Sequence, residues 1–241
     1  MNLIYLVIAG SFFFTLLFVW SKRFHNFSPD EQPIIGLTVT FSSILFALLL
    51  SFTVANLYNN FQELRAAITK EVVQLELMYE LVKDSPAGQP IITAIKAYVD
   101  SVVADEWNSH QQGELSPKTE KLAKQLNQEI IKYTRANPDD PINGQLLSML
   151  EVDERGTRLE ANKDHNFMII IIILTGLLTV IGFWFLNTSS FIVQFVVDFG
   201  VITIIALSIY LLLNLNKPLQ SDELGLSMKE FQDLQIKLGN M

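Results

Sequence analysis

Long apolar runs alternate along the chain with stretches in which apolar positions recur every three or four residues between charged ones. A helix rises about 1.5 Å per residue and the hydrocarbon core of a bilayer is about 30 Å thick, so roughly 20 apolar residues cross it. Four segments meet that length. They are Leu3 to Trp20, ended by Ser21, Lys22 and Arg23; Ile34 to Tyr58, after Pro33; Phe167 to Leu186; and Phe191 to Leu213. Only Asn187, Thr188, Ser189 and Ser190 join the last two, which makes them an antiparallel hairpin, and the first two form another. The fold class predicted is all-α: a four-span integral membrane protein with a helical-bundle stalk. Residues 1–58 make transmembrane hairpin 1, 59–166 the soluble helical domain, 167–213 transmembrane hairpin 2 and 214–241 a tail with a short helix.

Between the hairpins the periodicity is helical and is broken where breakers stand. Phe61, Leu64, Ile68, Val72, Leu75, Tyr79 and Val82 follow the second span with no breaker, so its helix is expected to continue far beyond the membrane. Asp84 to Pro90, with two prolines and a glycine, ends it. A second helix carries Ile91, Ile95, Tyr98, Val102 and Trp107. A third opens at Ser116-Pro117, with proline at the first helical position, and carries Leu122, Leu126, Ile130 and Tyr133. After Asn137-Pro138-Asp139-Asp140-Pro141, a fourth is expected from Ile142 through Leu146, Leu150 and Leu159. Beyond Lys217-Pro218, Ser227-Met228-Lys229-Glu230 has the pattern of a capping box opening a terminal helix.

Composition agrees with a divided chain: 50% hydrophobic residues are too many for an ordinary soluble domain, and 17% charged residues too many for membrane alone. The absence of cysteine excludes disulfides, thiolate metal sites and cysteine catalysis. A net charge of -8 argues against a nucleic-acid partner, which demands a concentrated basic surface. Leu3 to Trp20 has no positive residue before it and no small-residue cleavage site after it, so it is taken as a retained anchor. Four crossings put both termini and the middle domain on one side. Arg65, Lys70, Arg155, Arg158, Lys163 and Lys217 lie near span ends there, against Lys22 and Arg23 opposite, which favours a cytoplasmic middle domain and termini in a bacterial inner membrane. Lys22 and Arg23, directly after the first span, are the signal that disagrees.

Asp198 is the one acidic residue well inside a span, about two turns in, and an intramembrane carboxylate is a functional candidate by default. Gln194 lies one turn earlier on the same face. In a symmetric ring the two would form amide and carboxylate rings at a pore mouth, favouring cations. Alternatively Asp198 hydrogen-bonds to Thr175 or Thr179, or reaches to the interface. In span two, Gly36, Thr40, Ser43, Ala47 and Ser51 form one small, weakly polar stripe, followed by Asn56, Asn59 and Asn60. Such a stripe suits a pore wall and equally suits close helix packing. The many phenylalanines, Phe12, Phe13, Phe14, Phe18, Phe41, Phe46 and Phe52, suit lipid contact or an apolar gate. Asp105, Glu106 and His110 have no matching histidine or cysteine elsewhere and are taken as a solvated face, so no metal site and no cofactor are expected. No phosphate loop, nucleophile elbow or His-Glu-x-x-His is present, and no enzyme activity is expected.

The stretch from Ile44 to Tyr79 resembles the bestrophin-like membrane proteins of bacteria and plants, a domain family of unknown function. Asp105-Glu106-Trp107, Arg155 with Arg158, and Leu215-Asn216-Lys217-Pro218 agree with it. By that resemblance the protein is expected to be a ring-shaped homo-oligomer, a pentamer or tetramer, conducting inorganic ions along a pore lined by span two and extended by cytoplasmic helices. Bestrophins also hold calcium in an acidic clasp after span four. The counterpart Asn216 to Glu223 lacks the glycine and the full acidic cluster, so calcium gating is not implied. The expectation is a cation-preferring channel. The alternative is a non-conducting scaffold or stator-like subunit acting with a partner, since flagellar stators also place a domain between the second and third of four spans.

Overall fold

The computed structural model describes residues 3–22, 32–111, 114–150, 154–161, 166–186, 190–217, 219 and 228–239, with side chains for all but 3, 110, 111, 154 and 159–161. Ten α-helices occur among them: α1 (Leu3–Lys22), α2 (Gln32–Val82), α3 (Gln89–Ser101), α4 (Trp107–Gln111), α5 (Pro117–Ala136), α6 (Asn143–Leu150), α7 (Glu154–Ala161), α8 (Asn166–Phe185), α9 (Phe191–Asn216) and α10 (Lys229–Gly239). Four of them, α1, α2, α8 and α9, are long and apolar enough to cross a membrane. The chain divides into two compact units, residues 1–58 with 165–216 and residues 59–164 with 217–241.

In the first unit small residues stand at helix contacts beside buried Val39, Phe46, Ile172 and Ile205, and many large apolar side chains face outward. Helix α1 lies along α9 and buries Ser11, Thr15, Val19 and Lys22, a stripe at helical spacing, while Tyr5, Phe13 and Leu17 stay exposed. The Thr15 hydroxyl donates to the Ser11 carbonyl at 2.7 Å, which satisfies it within its own helix. Helix α8 brings Gly176, Thr179 and Gly182 to one side. A Cβ on Gly182 would stand 2.6 Å from Val39 Cγ2, and one on Gly176 would stand 3.0 Å from Phe46 Cε2 and 3.2 Å from Ile205 Cγ2. These glycines let α2 and α9 approach α8 where dispersion has no competing hydrophobic drive from lipid. Exposed Ile34, Leu37, Phe41, Leu174, Ile192, Val196 and Ile204 would be unfavourable in water and are what a lipid-facing surface requires.

The second unit has a conventional water-excluding core. Leu64, Ile68, Leu75, Met78, Tyr79 and Val82 of α2 meet Ile91, Ile95, Tyr98 and Val99 of α3, Leu126, Ile130 and Tyr133 of α5, Leu146 of α6, and Phe231, Leu234 and Leu238 of α10. Helix α2 ends at Val82 and a single 3-10 turn, Pro86–Gly88, leads into α3. Gly88 is required there, because a Cβ would lie 2.4 Å from the Val82 carbonyl oxygen. Ser116 caps α5, its hydroxyl accepting from the Thr119 N–H at 3.3 Å ahead of Pro117. At the other end the Tyr133 hydroxyl donates to Asp140 at 2.6 Å, and the other oxygen of Asp140 accepts from the Ile142 N–H at 3.1 Å, which fixes the turn into α6.

The helix expected from Ile142 towards span three is described as α6 and α7, and residues 151–153 between them lie outside the described residues. One expectation changes. The second helix of the middle segment continues from α3 through one turn of π-helix, Val102–Glu106, into α4. That extra residue in the turn shifts the helix face, and it matters for Glu106 below. The expected capping box at Ser227, the loop from Arg23, the turn at Asn187 to Ser189 and the acidic stretch to Glu223 lie outside the described residues.

Candidate functional site

Among the described residues, the first unit contains one buried charge pair. Asp198 of α9 is fully buried, and the Lys22 ammonium donates to its Oδ2 at 2.7 Å. Gln194 donates to the same oxygen at 2.8 Å. Lys22 also donates to the Phe183 carbonyl at 2.7 Å and the Leu186 carbonyl at 3.0 Å, so the cation sits where α8 presents its last carbonyls and negative end. The partner of Asp198 is therefore Lys22 rather than Thr175 or Thr179. Thr179 donates to the Thr175 carbonyl at 2.9 Å and Thr175 to the Ile171 carbonyl at 3.0 Å, so both hydroxyls are answered inside α8. Gln194 and Asp198 are brought together as their spacing predicts, but inside the protomer and against a cation.

The small stripe of span two runs differently. Helix α2 turns Val39, Ser42, Phe46, Thr53 and Leu57 inward, all buried. Thr40, Ala47, Ser51, Asn56 and Asn59 are exposed, and Gly36 and Ser43 half-exposed. Thr40 and Ser43 donate to the Gly36 and Val39 carbonyls at 2.8 and 2.7 Å. The stripe is thus not the surface through which α2 packs within this chain. Of the phenylalanines, Phe46 is buried against Gly176, whereas Phe13, Phe14, Phe41 and Phe52 are exposed.

A second charged centre, in the other unit, was not anticipated as a site. Glu106 is fully buried and accepts from Arg155 Nε at 2.9 Å and from the Ser116 N–H at 2.9 Å. Arg158 Nε lies 3.1 Å from Glu71, and the Tyr98 hydroxyl donates to Glu71. Arg158 Nη2 stands 3.9 Å from Glu106, which links the two pairs. Burial pushes the Glu71 carboxyl above its usual range against the pull of the Arg158 guanidinium and the Tyr98 hydroxyl; burial and the Glu71 charge push Tyr98 well above its own. The expectation of a solvated face at Asp105 and Glu106 holds for Asp105, which meets Lys118 at 2.6 Å on the surface, and is corrected for Glu106. Neighbours in a helix point about 100° apart, and the π turn carries Glu106 inward beside buried Trp107. Among the described residues no group of histidine, aspartate and glutamate is arranged to hold a metal.

Apolar helices with exposed large side chains, small-residue packing and a buried intramembrane ion pair define an all-helical membrane protein. The sequence matches the bestrophin-like domain over residues 5–222, and the chain belongs to the bestrophin-like family. A crystal structure of a bacterial bestrophin homologue from Klebsiella pneumoniae is similar at a TM-score of 0.65 and 13% identity, over 98% of this chain and 97% of that one. Another, of a membrane protein carrying one alanine substitution, is similar at a TM-score of 0.71 and 14% identity, over 100% of this chain and 98% of that one. At these identities the likeness is one of fold. No curated protein matches the sequence.

Proposed function

We propose that this protein is a homo-oligomeric ion channel of the bacterial inner membrane, pentameric or tetrameric, with α2 lining the pore. The observation that carries the reading is the stripe Gly36, Thr40, Ser43, Ala47 and Ser51, continued by Asn56 and Asn59, which α2 keeps off its own packing face. A weakly polar helix surface is unfavourable against lipid and favourable against water or a neighbouring copy. Hydroxyl and amide oxygens along it suit a cation more than an anion. Family membership supports the same reading.

Asp198 and Gln194, expected at the outer mouth, are buried with Lys22 inside the protomer, so in this proposal they hold α1 against α9 rather than line the pore. The pairing also bears on topology. A lysine buried against a carboxylate and two carbonyls is not a free loop charge, so Lys22 counts little against a cytoplasmic middle domain and cytoplasmic termini.

Flux from purified protein in liposomes, under potassium, sodium and chloride gradients, tests the proposal together with particle symmetry. Selective cation flux from a symmetric ring, altered by Ser51→Leu, is expected. A ring that stays silent in every gradient and voltage, or a subunit that copurifies with a second membrane protein, favours the scaffold or stator-like alternative.

A further inference from the structure

Two faces of the second unit carry opposite charge. The outer face of α5 presents Lys118, Lys121, Gln125, Gln128, Lys132 and Arg135, all exposed and three or four residues apart, with no acid in the row. Lys118 meets Asp105 and Lys132 meets Glu129, but Lys121 and Arg135 form no ion pair among the described residues. Elsewhere α2 and α10 enclose a groove of about 270 Å³. Its lining holds Glu76, Glu230 and Asp233 against Lys237, and Val73 on its wall is 55% exposed, an apolar side chain that packing within the chain leaves uncovered. Lys237 donates to Glu76 and Thr69 to Glu230 at 3.2 Å, while Asp233 stands exposed.

The two faces flank α2. Successive helix residues turn by about 100°. Glu71, Gln74, Leu75 and Met78, which share a cleft with Leu126 of α5, are therefore centred about half a turn from Thr69, Val72, Val73 and Glu76, which border α10. A ring of more than two identical copies is built from head-to-tail contacts, so each copy must offer two different surfaces that fit each other, one on each flank.

Resting on the homo-oligomeric reading above, we propose that the α5 face of one protomer docks against the α2–α10 groove of the next. The Lys121 and Arg135 heads meet Glu230 and Asp233, and the methylene stems of the basic row cover Val73, as long cationic side chains do over apolar surface. Like faces repel and unlike faces attract, so the contact also gives every copy the same direction around the ring.

The chain has no cysteine, so introduced thiols report on themselves alone. The test treats full-length Gln128→Cys with Asp233→Cys with a flexible bismaleimide in cell membranes, before extraction, and compares the products with particle symmetry. A ladder of cross-linked species ending at the subunit number of the ring is expected from the double variant, and no cross-link from either single variant. Lys121→Glu with Arg135→Glu is expected to raise the concentration at which the purified ring half-dissociates by about tenfold or more, and adding Glu230→Lys with Asp233→Lys to bring it back. A symmetric ring without the ladder, dimers from either single variant, or a ring indifferent to the charge reversal would overturn the docking. Monomers in every preparation would overturn the homo-oligomeric reading on which it stands.

Discussion

Lys22 and Asp198 form a buried pair, with Lys22 also held by the Phe183 and Leu186 carbonyls and Asp198 by Gln194. Removing one partner of a buried pair strands the other charge, at about 3–5 kcal/mol, whereas replacing both with apolar groups is often neutral. Asp198→Asn or Lys22→Met alone is therefore expected to lower the thermal stability of the detergent-solubilised protein markedly, and Lys22→Met with Asp198→Leu to recover most of it; additive losses would exclude the coupling. Glu71 carries a pH signature. Its carboxyl is raised in the folded protein by burial, so the stability it contributes is full below the ordinary carboxylate range and is lost as pH climbs through the raised value. The stability of the unsubstituted protein relative to Glu71→Gln is expected to fall from about pH 4 upward. A difference flat in pH would contradict this. Asp198 is conspicuous in the sequence because a charge stands out in an apolar run. Its partner is not, because Lys22 ends a span and looks like a loop residue. Glu71, Glu106, Arg155 and Arg158 are hidden for a related reason: each sits in an amphipathic helix where charge normally faces water, and periodicity reports a face without naming the distant residue that covers it.

At the scale of elements, the runs of apolar residues and the breakers account for α1, α2, α3, α5, α8 and α9 almost residue by residue. Helix α2 is a single element of 51 residues, about 75 Å, because nothing between Pro33 and Val82 interrupts it. The π turn was not legible, since no residue type marks an i→i+5 bond. Nor were the glycine contacts of α8, because Gly176 and Gly182 in an apolar run look like any other transmembrane glycine. Their contacts distinguish them. Gly182→Val is expected to wedge α2 from α8 and lower stability by about 1–3 kcal/mol, as overpacking does, while Gly200→Val, with open space at its Cβ, is expected to be nearly silent. Equal effects at the two positions would show that propensity rather than contact governs the cost of replacing glycine in α8 and α9.

The second unit draws its core from two distant stretches of chain, residues 59–164 and 217–241. Helix α10 closes it. Phe231 is fully buried, its ring lies 5.4 Å from the Arg158 guanidinium, and Gln235 donates to Asp100 at 2.7 Å. Phe231→Ala is expected to destabilise this unit by about 3–5 kcal/mol, measured as protection of amides in α3 and α5 from exchange. Unchanged protection would mean that α10 is an accessory.

Synthesis runs from α1 to α10, so the ribosome delivers residues 59–164 well before the helix that completes their core. In between, α8 and α9 must be handed to the bilayer. The unit therefore cannot reach its final packing until both hairpins have been made, and a chain stalled or clipped after α9 would display Val72 and Arg158, which α10 covers, to the chaperones and proteases that survey unfinished proteins. The order of the helices along the chain thus ties completion of this unit to synthesis of the last apolar hairpin.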